Sequence, residues 1–137
     1  MSLVLDSSVA LAWAHPDEMT KELGEIFERV SQTGAWVPSL WRLEVANVLE
    51  MGVRRGRYGA DFVRATLADL ACLPVRIDGE TDDRAWNATH KLAAEHQLTL
   101  YDAAYLELAI RKATPLASLD KALREAARRR GVEVLGL

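Results

Sequence analysis

LTLYDAAYLELA, residues 98–109, places an aspartate in the opening turn of a helix whose composition asks to be buried. Tyr105, Leu106 and Ala109 follow Asp102 at offsets of three, four and seven, so its carboxylate heads an apolar stripe. A charge on such a face is costly unless something compensates it. Thr99 offers one bland use for Asp102, a capping box at the helix start. The other use is chemical, and the rest of the chain decides what that chemistry requires.

Outward from this segment, short apolar runs alternate with amphipathic ones. Residues 2–5, 35–37, 74–77, 116–119 and 132–135 read as strands. Residues 7–14, 17–32, 40–55, 60–72, 82–96, 101–112 and 121–130 read as helices, with Gly34, Gly56 and Gly131 at helix stops. Strands alternating with helices predict an α/β fold with a mainly parallel sheet and right-handed crossovers. No repeat, low-complexity tract or Pro/Gly-rich linker divides the chain, so residues 1–137 are expected to form a single domain.

Composition narrows the function classes. Half of the chain is apolar and 27% is charged, as in an ordinary globular protein. No apolar run approaches the roughly 20 residues that cross a bilayer. MSLVLDSS has no basic segment ahead of its apolar run, which predicts no secretory leader and a cytoplasmic location. Cys72 is the only cysteine; its apolar neighbours predict a buried, inert thiol in a reducing compartment. The net charge of −3 argues against non-specific nucleic-acid binding through bulk positive charge. It leaves room for a nuclease whose negative charge is concentrated at a metal site.

Four carboxylates have a common place in this topology. Asp6 closes the first strand, and Asp120 closes the strand at 116–119. Glu44 lies in the first turns of the helix after the second strand, on the border of a stripe formed by Trp41, Val45, Val48 and Gly52. Asn47, one turn on, is placed to hydrogen-bond Glu44. The helix headed by Asp102 feeds directly into the strand at 116–119, so its N-terminus belongs at the same edge. Ligands of open α/β sheets bind outside the strands' carboxyl ends, near the topological switch point. Taken singly, Asp6 and Asp120 have an alternative as helix N-caps, and Asp102 has the capping box. Together at one edge, the four would repel one another and raise at least one pKa unless a cation joined them. Mg²⁺ or Mn²⁺ fits an all-oxygen ligand set, and such a site suits phosphoryl chemistry.

The same residues resemble the PIN-domain ribonucleases, specifically the VapC-type toxins of bacterial and archaeal toxin–antitoxin pairs. The likeness rests on VLDSSVALAW (4–13), PSLWRLEVANVL (38–49), LTLYDAAYLELA (98–109) and PLASLDKALREAARRRGVEVL (115–135), in that order. It implies a PIN-like three-layer fold with a mainly parallel five-stranded sheet, flanked by about seven helices, with the first strand central and the fourth beside it. It implies a metal-dependent endoribonuclease, with Asp6, Glu44, Asp102 and Asp120 as catalytic residues and metal ligands. Ser118 and Ser7 are expected to support Asp6 and Asp120. The resemblance further implies an RNA substrate, a homodimer and a VapB-like antitoxin whose C-terminal segment lies in a groove by the helices at 40–55 and 60–72. Arg54, Arg55 and Arg57, or Arg124 and the run 128–130, are expected to contact phosphate, with solvated basic surface as the plainer alternative.

Other chemistries find no support. His15, His90 and His96 do not form a metal set, and there is neither a nucleophile elbow nor a Gly-rich phosphate loop. Trp13, Trp36, Trp41 and Trp86 are read as core. Asp78, Asp82 and Asp83, in IDGETDD, are read as a solvated loop and helix cap. Two alternatives to the toxin reading stand: a PIN nuclease of RNA processing without an antitoxin, and a non-catalytic binding module.

Overall fold

Parallel pairing of five short strands organises the protein, whose structure is a computed structural model describing residues 2–137. The strands β1 (Val4–Leu5), β2 (Ala35–Val37), β3 (Val75–Ile77), β4 (Leu116–Ala117) and β5 (Val134–Leu135) lie in the order β3-β2-β1-β4-β5. All four pairings are parallel, and β1 aligns Val4 with Trp36 on one side and with Leu116 on the other. The direction of crossing reverses between β1 and β4, so the switch point falls where Asp6 and Ser118 leave the sheet.

Between the strands run α1 (Ser7–Trp13), α2 (Lys21–Thr33), α3 (Trp41–Arg54), α4 (Ala60–Ala71), α5 (Thr81–Arg84), α6 (His90–His96), α7 (Leu100–Lys112) and α8 (Lys121–Arg129). A π-helical turn, Ala85–Thr89, joins α5 to α6 in one rod, so the helices form seven rods among the described residues. The helix expected from residue 17 begins instead as a short 3₁₀ turn, Pro16–Glu18. The α-helix restarts where the Thr20 hydroxyl accepts from the Leu23 amide at 3.2 Å. Gly34 makes the return from α2 to β2 possible. Its φ is 80°, and a Cβ there would lie 2.8 Å from the Pro74 carbonyl oxygen, which accepts from the Ala35 amide.

The core is one cluster on both faces of the sheet, and α7 lies inside it. Every residue from Ala103 to Ala109 is buried, so the apolar stripe heading from Asp102 is part of a helix buried on all sides. In α3 the inward face is Trp41, Val45, Leu49 and Gly52. Val48, expected in that stripe, is instead 43% exposed, because Leu49 takes the inward position.

Burial of α7 carries a charged residue, Glu107, into the interior, and Arg111 answers it. Arg111 Nε and Nη2 donate to the two Glu107 oxygens at 2.8 and 3.0 Å, and Nη2 and Nη1 to the two Asp78 oxygens at 2.7 and 3.1 Å. Nη1 also reaches Glu80 at 3.3 Å. Asp78 is therefore not the solvated loop residue expected; it is 3% exposed and fastens the end of β3 to α7. Asp82 and Asp83 are exposed in the first turn of α5, as expected. Two more expectations fail at the surface. Trp86 is 93% exposed on the outside of the π turn, and Cys72 is an exposed helix cap whose thiol meets the Ala68 carbonyl. Trp41 is buried, while Trp13 and Trp36 are half-buried, the latter beneath Lys112 and Arg76.

Replacing Arg111 with Met should leave Asp78 and Glu107 without a counter-charge in the interior. A cost of about 3–5 kcal/mol is expected, measured as a lower urea midpoint at neutral pH. Burial raises the Asp78 carboxyl, but Arg111, the Glu80 amide and Thr81 outweigh it and hold the pKa below its usual value. The stabilisation from Asp78 is therefore complete above the ordinary carboxylate pKa and is lost as pH falls through the depressed one. The gap between wild-type and Arg111→Met midpoints should narrow on acidification.

Candidate acidic site

The carboxyl edge of β1 and β4 gathers side chains from four segments. Asp6 follows β1 at the N-cap position of α1, yet its side chain makes no capping bond. Its Oδ2 accepts from the Ser8 hydroxyl at 2.6 Å and the Ser118 hydroxyl at 2.9 Å, and the residue is only 3% exposed. The simple cap alternative therefore fails for Asp6. Ser118, fully buried at the end of β4, also accepts the Asp120 amide on Oγ at 3.0 Å. One hydroxyl thus spaces the two acidic segments. Asp120 does cap α8, its Oδ2 accepting from the Leu123 amide at 2.9 Å, and its charge still acts on Asp6 and Asp102.

Glu44 and Asp102 approach from α3 and α7. The Tyr105 hydroxyl donates to Glu44 Oε1 at 2.6 Å across 61 residues of sequence. Burial, followed by the Glu44 charge, pushes the Tyr105 pKa upward, so it stays protonated as a donor. Asn47, the partner expected for Glu44, is exposed, and Tyr105 makes the bond instead. At the start of α7 the Thr99 hydroxyl accepts the Asp102 amide at 3.1 Å, which is half of the expected capping box. The Asp102 carboxyl is half-buried and its pKa is pushed up to about 6, first by burial and then by Asp120, Asp6 and Glu44. Asp6 is raised too, again by burial first; Glu44 and Asp120 add to this against the lowering from Ser8 and Ser118.

The structure thus brings Glu44 and Asp120 within electrostatic reach of both Asp6 and Asp102, and the charges that perturb Asp6 and Asp102 are all acidic. The supporting serines are distributed differently from the expectation. Ser7 turns inward toward the Tyr105 hydroxyl, and Ser8 is the residue that holds Asp6. Ser8 also accepts the Leu119 amide at 2.9 Å, tying β1 to β4 a second time. The signal for Ser8 lay in the DSS triplet, because a hydroxyl two residues after an aspartate readily folds back onto it. Arg54, Arg55 and Arg57 are exposed around the α3–α4 turn, and residues 128–130 are exposed at the end of α8. Arg124 is not part of that surface: it is 3% exposed and donates to two backbone carbonyls.

Among the described residues, oxygen is the only donor type at this edge, and no cation offsets the charges that act on Asp6 and Asp102. Asp6, Glu44 and Asp120 each commit one oxygen to a hydroxyl or amide, and among the described residues no hydrogen bond engages the other. Among the described residues, no three His, Cys, Asp or Glu side chains stand close enough together to hold a metal ion as a group. The donor chemistry therefore fits a hard divalent ion that keeps several waters and takes one or two carboxylates directly. It does not fit a tetrahedral N/S metal.

Ribonuclease VapC3 of Pyrobaculum aerophilum is 29% identical over 125 residues, 91% of this chain and 94% of that protein. Among solved structures, PAE2754 from Pyrobaculum aerophilum superimposes with a TM-score of 0.68 at 20% identity, covering 98% of this chain and 89% of the other. VapBC2 from Rickettsia felis, solved bound to a DNA fragment from their promoter, gives 0.66 at 9% identity, with coverages of 98% and 97%. FitAcB from Neisseria gonorrhoeae gives 0.56 at 15%, with coverages of 98% and 96%. Residues 3–129 match the family described as PIN domain, a span that takes in all four carboxylates, and the chain belongs to that family.

Proposed function

We propose that this protein is a Mg²⁺- or Mn²⁺-dependent endoribonuclease and the toxin of a toxin–antitoxin pair. The observation that carries the reading is the convergence of carboxylates from four segments at one edge of the sheet, where burial first and then the charges of Asp120, Asp6 and Glu44 raise the Asp102 pKa. A structural edge has no need to assemble such repulsion, whereas a site for a divalent ion does. Asp6, Glu44, Asp102 and Asp120 would hold the ion, one or two of them directly and the others through its waters. When bound, it supplies positive charge for the scissile phosphate and lowers the pKa of an attacking water.

The chain's own groups do the positioning. Ser8 and Ser118 fix Asp6 through one oxygen and leave the other without a hydrogen bond among the described residues. Tyr105 does the same for Glu44. The Asp120 side chain is oriented by the first turn of α8. Arg54, Arg55 and Arg57 stand exposed at the α3–α4 turn as candidate phosphate contacts for RNA. An apolar groove of about 400 Å³ between α3 and α4, lined by Trp41, Val45, Leu67, Leu70 and Leu73, is the proposed seat for an antitoxin segment. The similarity to a named VapC ribonuclease supports the enzymatic reading, and the same family likeness is the ground for proposing a homodimer.

RNA cleavage by the purified protein should require Mg²⁺ or Mn²⁺ and stop in excess EDTA. Cleavage that continues undiminished in EDTA would refute the proposed metal chemistry. Asp6→Asn should lower the cleavage rate by about 100-fold or more, since even residues that only orient metal ligands commonly matter by 10- to 100-fold.

Asp102→Asn separates the site from the helix cap. It should abolish cleavage and, in EDTA, raise the melting temperature. An acid with a raised folded pKa favours folding fully below its unfolded pKa near 4, and that advantage is lost as pH rises to about 6. The gain from Asn should therefore be present at pH 7–8 and vanish near pH 4. With solvent screening at a half-exposed carboxyl allowed for, it should amount to about 1 kcal/mol. Melting curves of the two proteins across this range, with cleavage assays in Mg²⁺, check both effects.

A further inference from the structure

Arg124 is buried and faces no carboxylate among the described residues. Its Nη1 donates to the Ser118 carbonyl at 2.7 Å and to the Leu135 carbonyl at 3.0 Å. A guanidinium removed from water without a counter-charge is expensive, and an apolar side chain would fill the space at less cost. What the arginine adds is a hold on two strand-end carbonyls, and the shorter bond is to the Ser118 peptide. Four bonds meet on Ser118: its amide donates to Leu135 O at 3.1 Å, its carbonyl accepts from Arg124, and its hydroxyl links Asp6 with the Asp120 amide.

The chain after β5 closes over the same carbonyl. Gly136 has φ 128°, and a Cβ there would stand 2.9 Å from Ser118 O and 3.5 Å from Arg124 Nη1. Any side chain at that position would press on the Ser118 peptide. Two elements, α8 and the segment after β5, thus converge on the residue whose hydroxyl spaces the acids.

We propose that Arg124 is a positioning residue, which with Gly136 clamps the Ser118 peptide so that the Ser118 hydroxyl holds Asp6 and Asp120 in register. Arg124 acts from behind the acidic edge and touches no substrate. Docking of the C-terminal strand then becomes a condition for an ordered acidic site. The effect on catalysis rests on the nuclease reading above; the clamp itself does not.

The test uses the full chain with Arg124→Met, Arg124→Lys and Gly136→Ala. Hydrogen exchange is followed at the Asp120 amide, bonded to Ser118, and at the Asp78 amide, bonded to Val37 O on the far side of the sheet. RNA cleavage in Mg²⁺ is measured well below each melting midpoint. Arg124→Met should speed exchange at Asp120 but not at Asp78, and lower kcat by about 10- to 100-fold at unchanged KM. Arg124→Lys, which keeps a cationic donor, should recover most of both. Gly136→Ala keeps every hydrogen-bonding group and should reproduce the loss, which carries the test if Arg124→Met does not fold. Equal acceleration at both amides, a lower melting point with unchanged kcat, or a raised KM at unchanged kcat would each overturn the proposal. If the wild type cleaves no RNA, the nuclease reading falls, and the Asp120 exchange still decides the clamp.

Discussion

Burying α7 on every side obliges the rest of the fold to deal with the charges it carries. The helix packs against β1, β2 and β4 in the sheet and against α6, α8 and the π turn around it. Nothing between Ala103 and Ala109 meets solvent freely, so Glu107 must be answered from inside. Arg111, one turn further, does so and recruits Asp78 from the end of β3. The helix opens to solvent toward its two ends, and the N-terminal end delivers Asp102 to the carboxyl edge of the sheet. Core packing and the placing of an acid are one event here.

The molecule contains two groups of carboxylates that differ in what stands between them. At Asp78, Glu80 and Glu107, one guanidinium distributes five contacts among three acids, and the Asp78 pKa is drawn down. At Asp6, Glu44, Asp102 and Asp120, hydroxyls and amides take the place of a cation, and Asp6 and Asp102 move up. Neutral donors orient a carboxylate without cancelling its charge. The first arrangement fastens secondary-structure elements together. The second preserves negative charge at the one edge where an α/β sheet receives ligands.

Ser118 shows how a short strand can organise such an edge. β4 pairs over only two residues, then turns so that the serine hydroxyl and the following aspartate face the end of β1. Ser8 makes the corresponding bond from the other side, donating to Asp6 and accepting the Leu119 amide. The two serines cross-link β1 and β4 at the switch point through side chains, beyond the last residues paired in the ladder.

The alternation of apolar runs with amphipathic segments was enough to establish the α/β class, five strands and the strand-end or helix-start positions of Asp6, Glu44, Asp102 and Asp120. Those features depend on local periodicity and on chain order, both of which one sequence displays. Tertiary structure decided the rest, because partners across the fold are separated by long stretches of chain. Tyr105 rather than Asn47 meets Glu44, although Asn47 is the sequence neighbour. Ser8 rather than Ser7 meets Asp6, since the first turn of α1 rotates one hydroxyl inward to Tyr105 and the other onto the carboxylate. Arg124 looks like part of a basic surface run until α8 turns it onto the Ser118 and Leu135 carbonyls, while Arg128 in the same helix remains outside. Asp78 looks like a loop residue until Arg111 reaches it from 33 residues away. Periodicity assigns a residue to an element; which side chain meets which is settled only when the elements pack.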